Sequence, residues 1–440
     1  MEETVKKNDL GSGPLVPTWF RLSLPVVLGS IVTILYNLAD TYFIAQTGNA
    51  LLIAGVSLCA PLFMILMAFG NIFGQGGSSL ISRLMGQRRT EDVKRVSAFC
   101  FWIALAVGAV IGALLLLFRD PFLSLLGSST DTLPYAREYA TVLLIGAPFI
   151  VVNFIHMNLL RCEGMAGLSM CGTVIGAVVN IILDPLLIPG MGAAGAAIAT
   201  VIGYVCSDAF LLCIVLTKSP SLSVLPALKT EGTFLKDILS IGFTAAITNI
   251  ASSVCMILIN QKLLPFGDDR IAAMGIVMKV TMIVQMILVG FSFGGVPLFG
   301  FLTGAGEKEK ISRLLRFCLL FLGGFSFAMT AVVILAAQPL LRLITPDTGL
   351  VAIGVPMLRW NVAGSVFAGI VMLSTCLCQA SGKAVPALIL SLSRQGFVFL
   401  AVLLFASALF GYPGILASQA AADFLSAVLA VGILRVILKP

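Results

Sequence analysis

The chain has 440 residues, of which 59% are hydrophobic and only 11% charged, and its mean hydropathy is +1.07. Soluble domains carry roughly 25% charged residues, so the composition excludes an ordinary soluble protein and indicates an integral membrane protein. The formal net charge is +7. The basic residues cluster in loops between apolar segments, which favours contact with the membrane surface over nucleic-acid binding.

Twelve apolar segments follow one another along the chain, each long enough to cross a bilayer as a helix. They are predicted at about 20–45, 51–80, 97–118, 135–159, 165–188, 193–217, 235–262, 271–300, 314–337, 350–378, 384–409 and 413–438, and are numbered spans 1 to 12. A polar tail, 1–18, precedes them and lacks the features of a cleaved signal. We therefore expect span 1 to remain as a membrane anchor.

The longest polar stretch, 218–234, lies between spans 6 and 7 and is predicted to be a cytoplasmic linker. It divides the chain into an N-lobe at 19–217 and a C-lobe at 235–438. Placing both termini in the cytoplasm puts most Lys and Arg residues on the inner side, as the positive-inside rule requires. This assignment counts Arg394 among the cytoplasmic residues and leaves Lys279 as the one basic residue deep in a span.

The two lobes are weakly repeated in sequence. Residues 71–100 match residues 289–318 at ten of thirty positions without a gap, an offset of 218. Since this offset contains six spans, an even number, both lobes have the same orientation, and we predict a parallel repeat about an axis normal to the membrane. Such repeats are typical of secondary transporters, whose substrates bind near mid-membrane in a central cavity between the halves.

Five polar side chains are predicted at similar depth in the outer half of the N-lobe: Asn37 and Asp40 in span 1, Asn180 and Asp184 in span 5, and Thr200 in span 6. Carboxylates are costly inside a bilayer, by at least ~2.5 kcal/mol each, and usually functional there. Paired carboxylates can exchange a proton, and the oxygens of Asp40, Asn180, Asp184 and Thr200 could instead bind Na⁺. The alternative is that these groups only join helices to one another.

Other polar or flexible side chains inside the spans are candidates for lining a substrate cavity. They are Tyr36, Asn153, His156, Asn158, Lys279, Met282, Gln285, Met286 and Asp423. A lone histidine such as His156 more often packs at an interface than moves protons. Lys279 and Asp423 form a candidate ion pair of the C-lobe.

Pro25, fifteen residues before Asp40 in span 1, is a candidate hinge, with a static kink as the alternative.

Four short motifs carry a resemblance to a known family. They are Tyr36-Asn37-x-x-Asp40-Thr41, Ser82-Arg83-x-x-Gly86, Asn158-x-x-Arg161-x-x-Gly164 and Asn180-x-x-x-Asp184-Pro185. Over residues 20–438 the chain thereby resembles the multidrug and toxic compound extrusion (MATE) family, the prokaryotic multidrug exporters. The resemblance implies twelve helices in two six-helix lobes, and export driven by inward flow of H⁺ or Na⁺.

The resemblance also implies where coupling takes place. In one branch of the family the coupling site is in the first lobe, and the matching positions here are Asp40, Asn180, Asp184 and Thr200. Another branch uses acids in spans 7 and 10. Span 7 of this chain has an acid only at its boundary, Asp237, and span 10 has none. We therefore do not expect second-lobe coupling of that kind.

Together these features predict an all-α integral membrane protein of the bacterial cytoplasmic membrane. We expect an antiporter that exports amphipathic, cationic organic compounds in exchange for H⁺ or Na⁺, without enzymatic activity and without another cofactor. Its expected partners are small molecules and membrane lipids, not nucleic acid, and it is expected to be a monomer. One alternative is a lipid-linked precursor flippase of the same superfamily, whose cavity tends to be more basic. A receptor or a channel is a further alternative.

Overall fold

The computed structural model describes residues 13–225 and 232–437, and this part of the chain consists of helices joined by short turns and loops, without a β-strand. The prediction of an all-α protein is confirmed. Residues 1–12 of the predicted N-terminal tail, residues 226–231 of the predicted linker and residue 438 of span 12 lie outside the described residues.

The helices follow the predicted spans in chain order. In the first half they are α1 (Leu15–Gln46), α2 (Ala50–Leu58), α3 (Ala60–Gly86), α4 (Thr90–Leu117), α5 (Arg119–Leu125), α6 (Leu133–Ile145), α7 (Ala147–Cys162) and α8 (Ala166–Lys218). In the second half they are α9 (Gly232–Leu263), α10 (Asp268–Phe293), α11 (Val296–Gly304), α12 (Lys308–Leu335), α13 (Ala337–Ile344), α14 (Thr348–Ala363), α15 (Ser365–Ala380), α16 (Ala384–Gln395), α17 (Phe397–Phe410) and α18 (Tyr412–Ile437).

Among the described residues, ten helical segments are long and apolar enough to cross a membrane, and the pair α6–α7, bent by 53°, forms one more. One of the ten, α8, has 53 residues, about twice what a bilayer requires. It breaks at Gly192, where φ is 58° and ψ is −129°, so that two spans run through it. Counted in this way, the described residues contain the twelve predicted spans.

The repeat seen in the sequence is also visible in the backbone. Left-handed backbone conformations recur at a spacing of 218 or 219 residues, in places where the chain turns between helices. The pairs, with their φ angles, are Gly48 (64°) and Gly267 (108°), Arg88 (60°) and Gly306 (73°), Gly164 (77°) and Gly382 (73°), and Gly192 (58°) and Gly411 (60°). The two halves therefore turn at matching positions along the same helical path.

The described chain forms two compact units. The first unit is Leu28–Gly242, and the second combines Pro14–Val27 with the described residues from Phe243 onward. These units differ from the expected lobes, 19–217 and 235–438, at the start of α1 and the start of α9. The first turns of α1 belong to the second unit, and the first turns of α9 belong to the first.

Close backbone packing explains why the start of α9 belongs to the first unit. A Cβ atom added to Gly76 of α3 would lie 2.1 Å from the carbonyl oxygen of Ile238. One added to Gly242 would lie 2.1 Å from the carbonyl oxygen of Ile72. Only glycine permits so close an approach, and small residues of this kind are what bring helices together in membranes.

The start of α1 packs against α10 in the same manner within the second unit. A Cβ atom on Gly294, the repeat partner of Gly76, would lie 2.4 Å from the Cα atom of Ser23. Nearby, the fully buried Trp19 stacks on Phe291 with ring centroids 5.9 Å apart. Each unit therefore contains the opening turns of a long helix whose remainder lies in the other unit.

The first residues of the linker are fixed to the first unit. Glu163, which follows α7, is buried and accepts hydrogen bonds from the backbone N–H groups of Ser221 (2.8 Å) and Leu222 (3.1 Å). Burial raises the pKa of the Glu163 carboxyl above its ordinary value, against the opposing effect of these hydrogen bonds. Trp102 Nε1 donates to the carbonyl oxygen of Val224 at 2.9 Å.

The packing at Gly76 predicts the effect of one substitution. Because any side chain there would overlap the α9 backbone, Gly76→Val should destabilise the protein by about 1–3 kcal/mol and lower its melting temperature in detergent. Gly324→Val is the matched control, since no atom lies within 4 Å of a Cβ added at that position. An unchanged melting temperature for Gly76→Val would contradict the packing described here.

Candidate functional site

A cavity of about 60 Å³ lies between the second half of α1 and the two arms of α8, wholly within the first unit. Its lining residues are Thr33, Tyr36, Thr173, Gly176, Ala177, Asn180, Thr200, Gly203, Tyr204 and Ser207. The two arms meet at glycines: an added Cβ on Gly203 would lie 2.7 Å from the carbonyl oxygen of Gly176. This close crossing holds Asn180, one turn after Gly176, opposite Thr200, one turn before Gly203.

Asn180, Asp184 and Thr200 form a buried polar cluster at this cavity. With the Asn180 amide oriented to satisfy both neighbours, its nitrogen donates to Asp184 Oδ2 at 3.2 Å and its oxygen accepts from the Thr200 backbone N–H at 3.1 Å. The Thr200 hydroxyl donates to the Ala196 carbonyl oxygen at 3.0 Å, leaving its lone pairs available. Three of the predicted coupling residues are therefore brought together.

Asp40 joins this cluster from α1. Its charge acts on both Asp184 and Tyr36, and Tyr36 lines the cavity. One carboxylate oxygen on Asp40 and one on Asp184, both Oδ1, are buried without a hydrogen-bond partner among the described residues. No Lys or Arg of the described chain forms an ion pair with either acid. Two carboxylates thus share a site that provides no fixed positive charge.

The size of the cavity limits what it can hold. Sites for drug-sized molecules occupy about 300–1,000 Å³, several times the volume found here. A cavity of about 60 Å³ has room for a water molecule or a small ion. Neither Asp40 nor Asp184 lines it, but Asp184 accepts a hydrogen bond from the lining residue Asn180. The amide and hydroxyl oxygens of the lining are ligands that hard cations prefer, and the neighbouring carboxylates can take a proton. The cavity therefore suits an inorganic cation and is too small for an organic compound.

Asn37 and Asn153 do not line the cavity. Asn37 is exposed on α1. Asn153 is buried in α7, where its side-chain nitrogen donates to Ser207 Oγ at 2.8 Å and to Asp208 Oδ1 at 2.9 Å. Ser207 lines the cavity, so Asn153 contacts the cavity only through its hydrogen bond to Ser207.

His156 and Asn158 also lie away from the cavity. The His156 ring is buried against Phe101, with ring centroids 5.2 Å apart. The Asn158 amide donates to the Phe154 carbonyl oxygen of its own helix at 2.7 Å. These contacts fit packing and helix-internal roles for both side chains.

In the second unit the structure gives Asp423 a different partner from the expected one. Arg394 Nε donates to Asp423 Oδ1 at 2.9 Å, and both side chains are buried, whereas Lys279 is exposed on α10. Arg394 Nη2 also donates to Gln285 Oε1 at 2.7 Å. Met282 is half-exposed and Met286 half-buried on α10.

Sequence reasoning missed Arg394 as a membrane residue. Its assignment to the cytoplasmic residues is wrong, as is the description of Lys279 as the one basic residue deep in a span, because Arg394 lies at the end of α16 inside the span Ala384–Phe410. The signal was available, since residue 394 is ten residues into the predicted span 11. Tyr204, Ser207 and Gln419 were also missed, because a single hydroxyl or amide in an apolar segment gives little signal.

Pro25 lies inside the continuous helix α1, two residues before the boundary between the units at Val27 and Leu28. The missing backbone N–H of a proline weakens a helix at this point. Its predicted role as a hinge therefore falls where α1 passes from one unit into the other.

The buried ion pair predicts a pattern of stabilities. Removing one partner leaves an unpaired buried charge, so Arg394→Met and Asp423→Leu should each destabilise the protein by roughly 3–5 kcal/mol. The double variant replaces the pair by apolar groups and should be close to the unchanged protein. Melting temperatures of the four purified forms in detergent provide the measurement. Additive losses in the double variant would show that the two side chains are not coupled.

Comparison with known proteins agrees with the fold. The MatE family model matches residues 25–186 and again residues 244–405, which are two stretches of equal length in the two halves of the chain. The multidrug export protein MepA of Staphylococcus haemolyticus is 30% identical over 93% of this chain and 91% of its own. MepA of Staphylococcus aureus strain NCTC 8325 is 29% identical over 95% of this chain and 93% of its own.

Solved structures are similar over nearly the whole chain. A MATE protein crystallised in complex with MaL6 superimposes with a TM-score of 0.92 at 25% identity, over 98% of each chain. An outward-facing multidrug resistance MATE family transporter of the MOP superfamily gives a TM-score of 0.91 at 26% identity, over 98% of each chain. The resemblance drawn from the four sequence motifs is thereby confirmed, and the chain belongs to the MATE (multidrug and toxic compound extrusion) family of multidrug efflux transporters.

Proposed function

We propose that this protein is an antiporter of the bacterial cytoplasmic membrane that exports amphipathic organic cations in exchange for H⁺ or Na⁺. The observation that carries the proposal is the pair Asp40 and Asp184, whose charges interact and which form no ion pair with a basic residue among the described residues. Such a pair needs a positive charge supplied from outside the chain.

The energetics favour an exchangeable cation over a structural role. A carboxylate in the membrane interior costs at least ~2.5 kcal/mol, and burial side by side adds repulsion between the two charges. A proton or a Na⁺ ion removes both costs while it is bound. If Na⁺ is the ion, its ligands are oxygens of Asp40, Asn180, Asp184 and Thr200; if it is H⁺, the two carboxylates share it.

The course of α1 offers a route from the ion site to a change of conformation. The helix begins in the second unit, passes Pro25 and ends in the first unit, where Asp40 lies. A change of charge at Asp40 alters the forces on a helix that belongs to both units. We propose that bending at Pro25 then changes which side of the membrane the substrate site faces, in an alternating-access cycle.

The relatives and the charge of the second unit guide the choice of substrate. The MepA relatives are named as multidrug export proteins. The buried Arg394 is neutralised by Asp423, so it adds no net positive charge that would attract an anionic, lipid-linked precursor. This favours export of organic cations over the flippase alternative.

We further propose that the protein acts as a monomer with both termini in the cytoplasm, and as a transporter without enzymatic activity.

The proposal is tested by efflux of a fluorescent cationic dye from proteoliposomes, with the H⁺ and Na⁺ gradients imposed separately. Asp40→Asn removes the charge and keeps the shape, so dye efflux should fall to the rate seen without a gradient. The ion whose gradient drives efflux in the unchanged protein is the coupling ion.

Asp131→Asn makes the same chemical change at an exposed position outside the cavity and serves as the matched control. It should retain gradient-driven efflux. Undiminished efflux by a correctly inserted Asp40→Asn protein would overturn the assignment of the coupling site.

A further inference from the structure

The repeat allows the cavity of the first unit to be compared position by position with the second unit. The glycine pair Gly164 and Gly382 is 218 residues apart, whereas the pair Gly192 and Gly411 is 219 apart, so the second half has gained one residue between these points. The break at Gly396 between α16 and α17 accounts for it, because the first arm of α8 has no break at the matching place.

On this alignment the polar groups of the second unit fall on cavity positions of the first. Before the break Arg394 corresponds to Gly176, and after it Gln419 and Asp423 correspond to Thr200 and Tyr204. Gly176, Thr200 and Tyr204 all line the first cavity. The second unit therefore has a long basic side chain at a position where the first unit has only a hydrogen atom.

The Arg394 side chain is held firmly where it lies. Its Nε donates to Asp423 Oδ1 at 2.9 Å and its Nη2 to Gln285 Oε1 at 2.7 Å, and Gln419 Nε2 also donates to Asp423 Oδ1, at 3.0 Å. Arg394 is 7% exposed and Asp423 is fully buried. The guanidinium is thus bound by a carboxylate and an amide oxygen, the same kinds of group that meet at Asp184 and Asn180 in the first unit.

The break in span 11 places this side chain. A Cβ atom on Gly396 would lie 2.5 Å from the carbonyl oxygen of Leu392, so the chain can turn this closely only at a glycine. Asp423 is positioned from the other side, where a Cβ on Gly364 would lie 2.7 Å from Asp423 Oδ2. Helix breaks therefore bring the acid and the base together inside the second unit.

We propose that Arg394 is a built-in substitute for the coupling cation. In the first unit an exchangeable cation supplies the positive charge that the carboxylates need. In the second unit the guanidinium supplies it permanently, so that Asp423 is always neutralised and this unit takes up no cation during transport. Arg394 is thereby the residue that restricts coupling to the first unit. The transport part of this inference rests on the proposed function, whereas the cation site at Asp423 does not.

The inference is tested by chemical rescue. Arg394→Gly introduces at residue 394 the residue found at its repeat partner, Gly176, and should open a cation site at Asp423. The melting temperature of the purified variant in detergent should fall, and millimolar guanidinium chloride should restore it, whereas the same concentration of choline chloride should not. The unchanged protein should show no such response.

The double variant Arg394→Gly/Asp423→Asn is the matched control, because it has the space but not the carboxylate. Guanidinium should leave its melting temperature unchanged. Equal responses of the single and double variants, or no response of the single variant, would overturn the proposal.

A second variant keeps the inference testable if Arg394→Gly does not fold. Arg394→Gln/Asp423→Asn retains hydrogen-bonding groups without charge, and it should transport dye with the same number of cations per dye molecule as the unchanged protein. A smaller number would show that Asp423 exchanges a cation and would overturn the inference. Failure of the proposed function is distinguishable, since it appears as undiminished gradient-driven efflux by Asp40→Asn, whatever the outcome of guanidinium rescue.

Discussion

Two carboxylates buried in membrane helices without a basic partner are the constraint on which this account depends. The charges of Asp40 and Asp184 interact, and Asp184 accepts a hydrogen bond from Asn180, which lines a cavity of about 60 Å³. Each acid retains an oxygen without a hydrogen-bond partner among the described residues. Burying negative charge in this way is unfavourable unless a cation joins it. This need for an external positive charge is the basis of the proposed coupling to an ion gradient across the membrane.

The two repeated halves of the chain each contain buried carboxylates, and they differ in whether a basic side chain neutralises the negative charge. Matching glycine turns show that both halves follow the same helical path, yet the polar positions have diverged. The first unit keeps small residues, Gly176 and Gly203, and so keeps a space for an ion. In the second unit Arg394 pairs with Asp423. A parallel repeat supplies two corresponding sets of positions, and on our proposal the residue at one of them, glycine or arginine, determines whether a site exchanges a cation.

Much of the fold follows from the sequence, because apolar length and an internal repeat are strong signals in membrane proteins. The spans, the parallel repeat and the grouping of Asn180, Asp184 and Thr200 follow from helical spacing and from depth in the membrane. Other features require three-dimensional contacts. The first turns of α1 belong to the second unit and those of α9 to the first, and this packing depends on Gly294 and Gly76. Glycines are so common in apolar segments that the sequence alone does not reveal such a contact.

The errors have physical reasons as well. Counting positive charges assigned Arg394 to the cytoplasm, because that rule assumes that basic residues avoid the membrane interior. A buried partner removes this restriction, and the partner, Asp423, lies on a different helix. Asn37 shares a face with Asp40 by spacing, but α1 presents it away from the cavity residues. Helical spacing predicts which residues are neighbours on one helix and leaves open which helix they contact.

The central claim is that cation and substrate compete through the site at Asp40 and Asp184. The most direct measurement is the affinity of the purified protein for a fluorescent cationic dye at a series of H⁺ or Na⁺ concentrations. Antiport predicts that the coupling ion weakens dye binding, that the dye weakens ion binding by the same factor, and that both effects disappear in Asp184→Asn. Dye affinity that does not change with either ion would contradict the account.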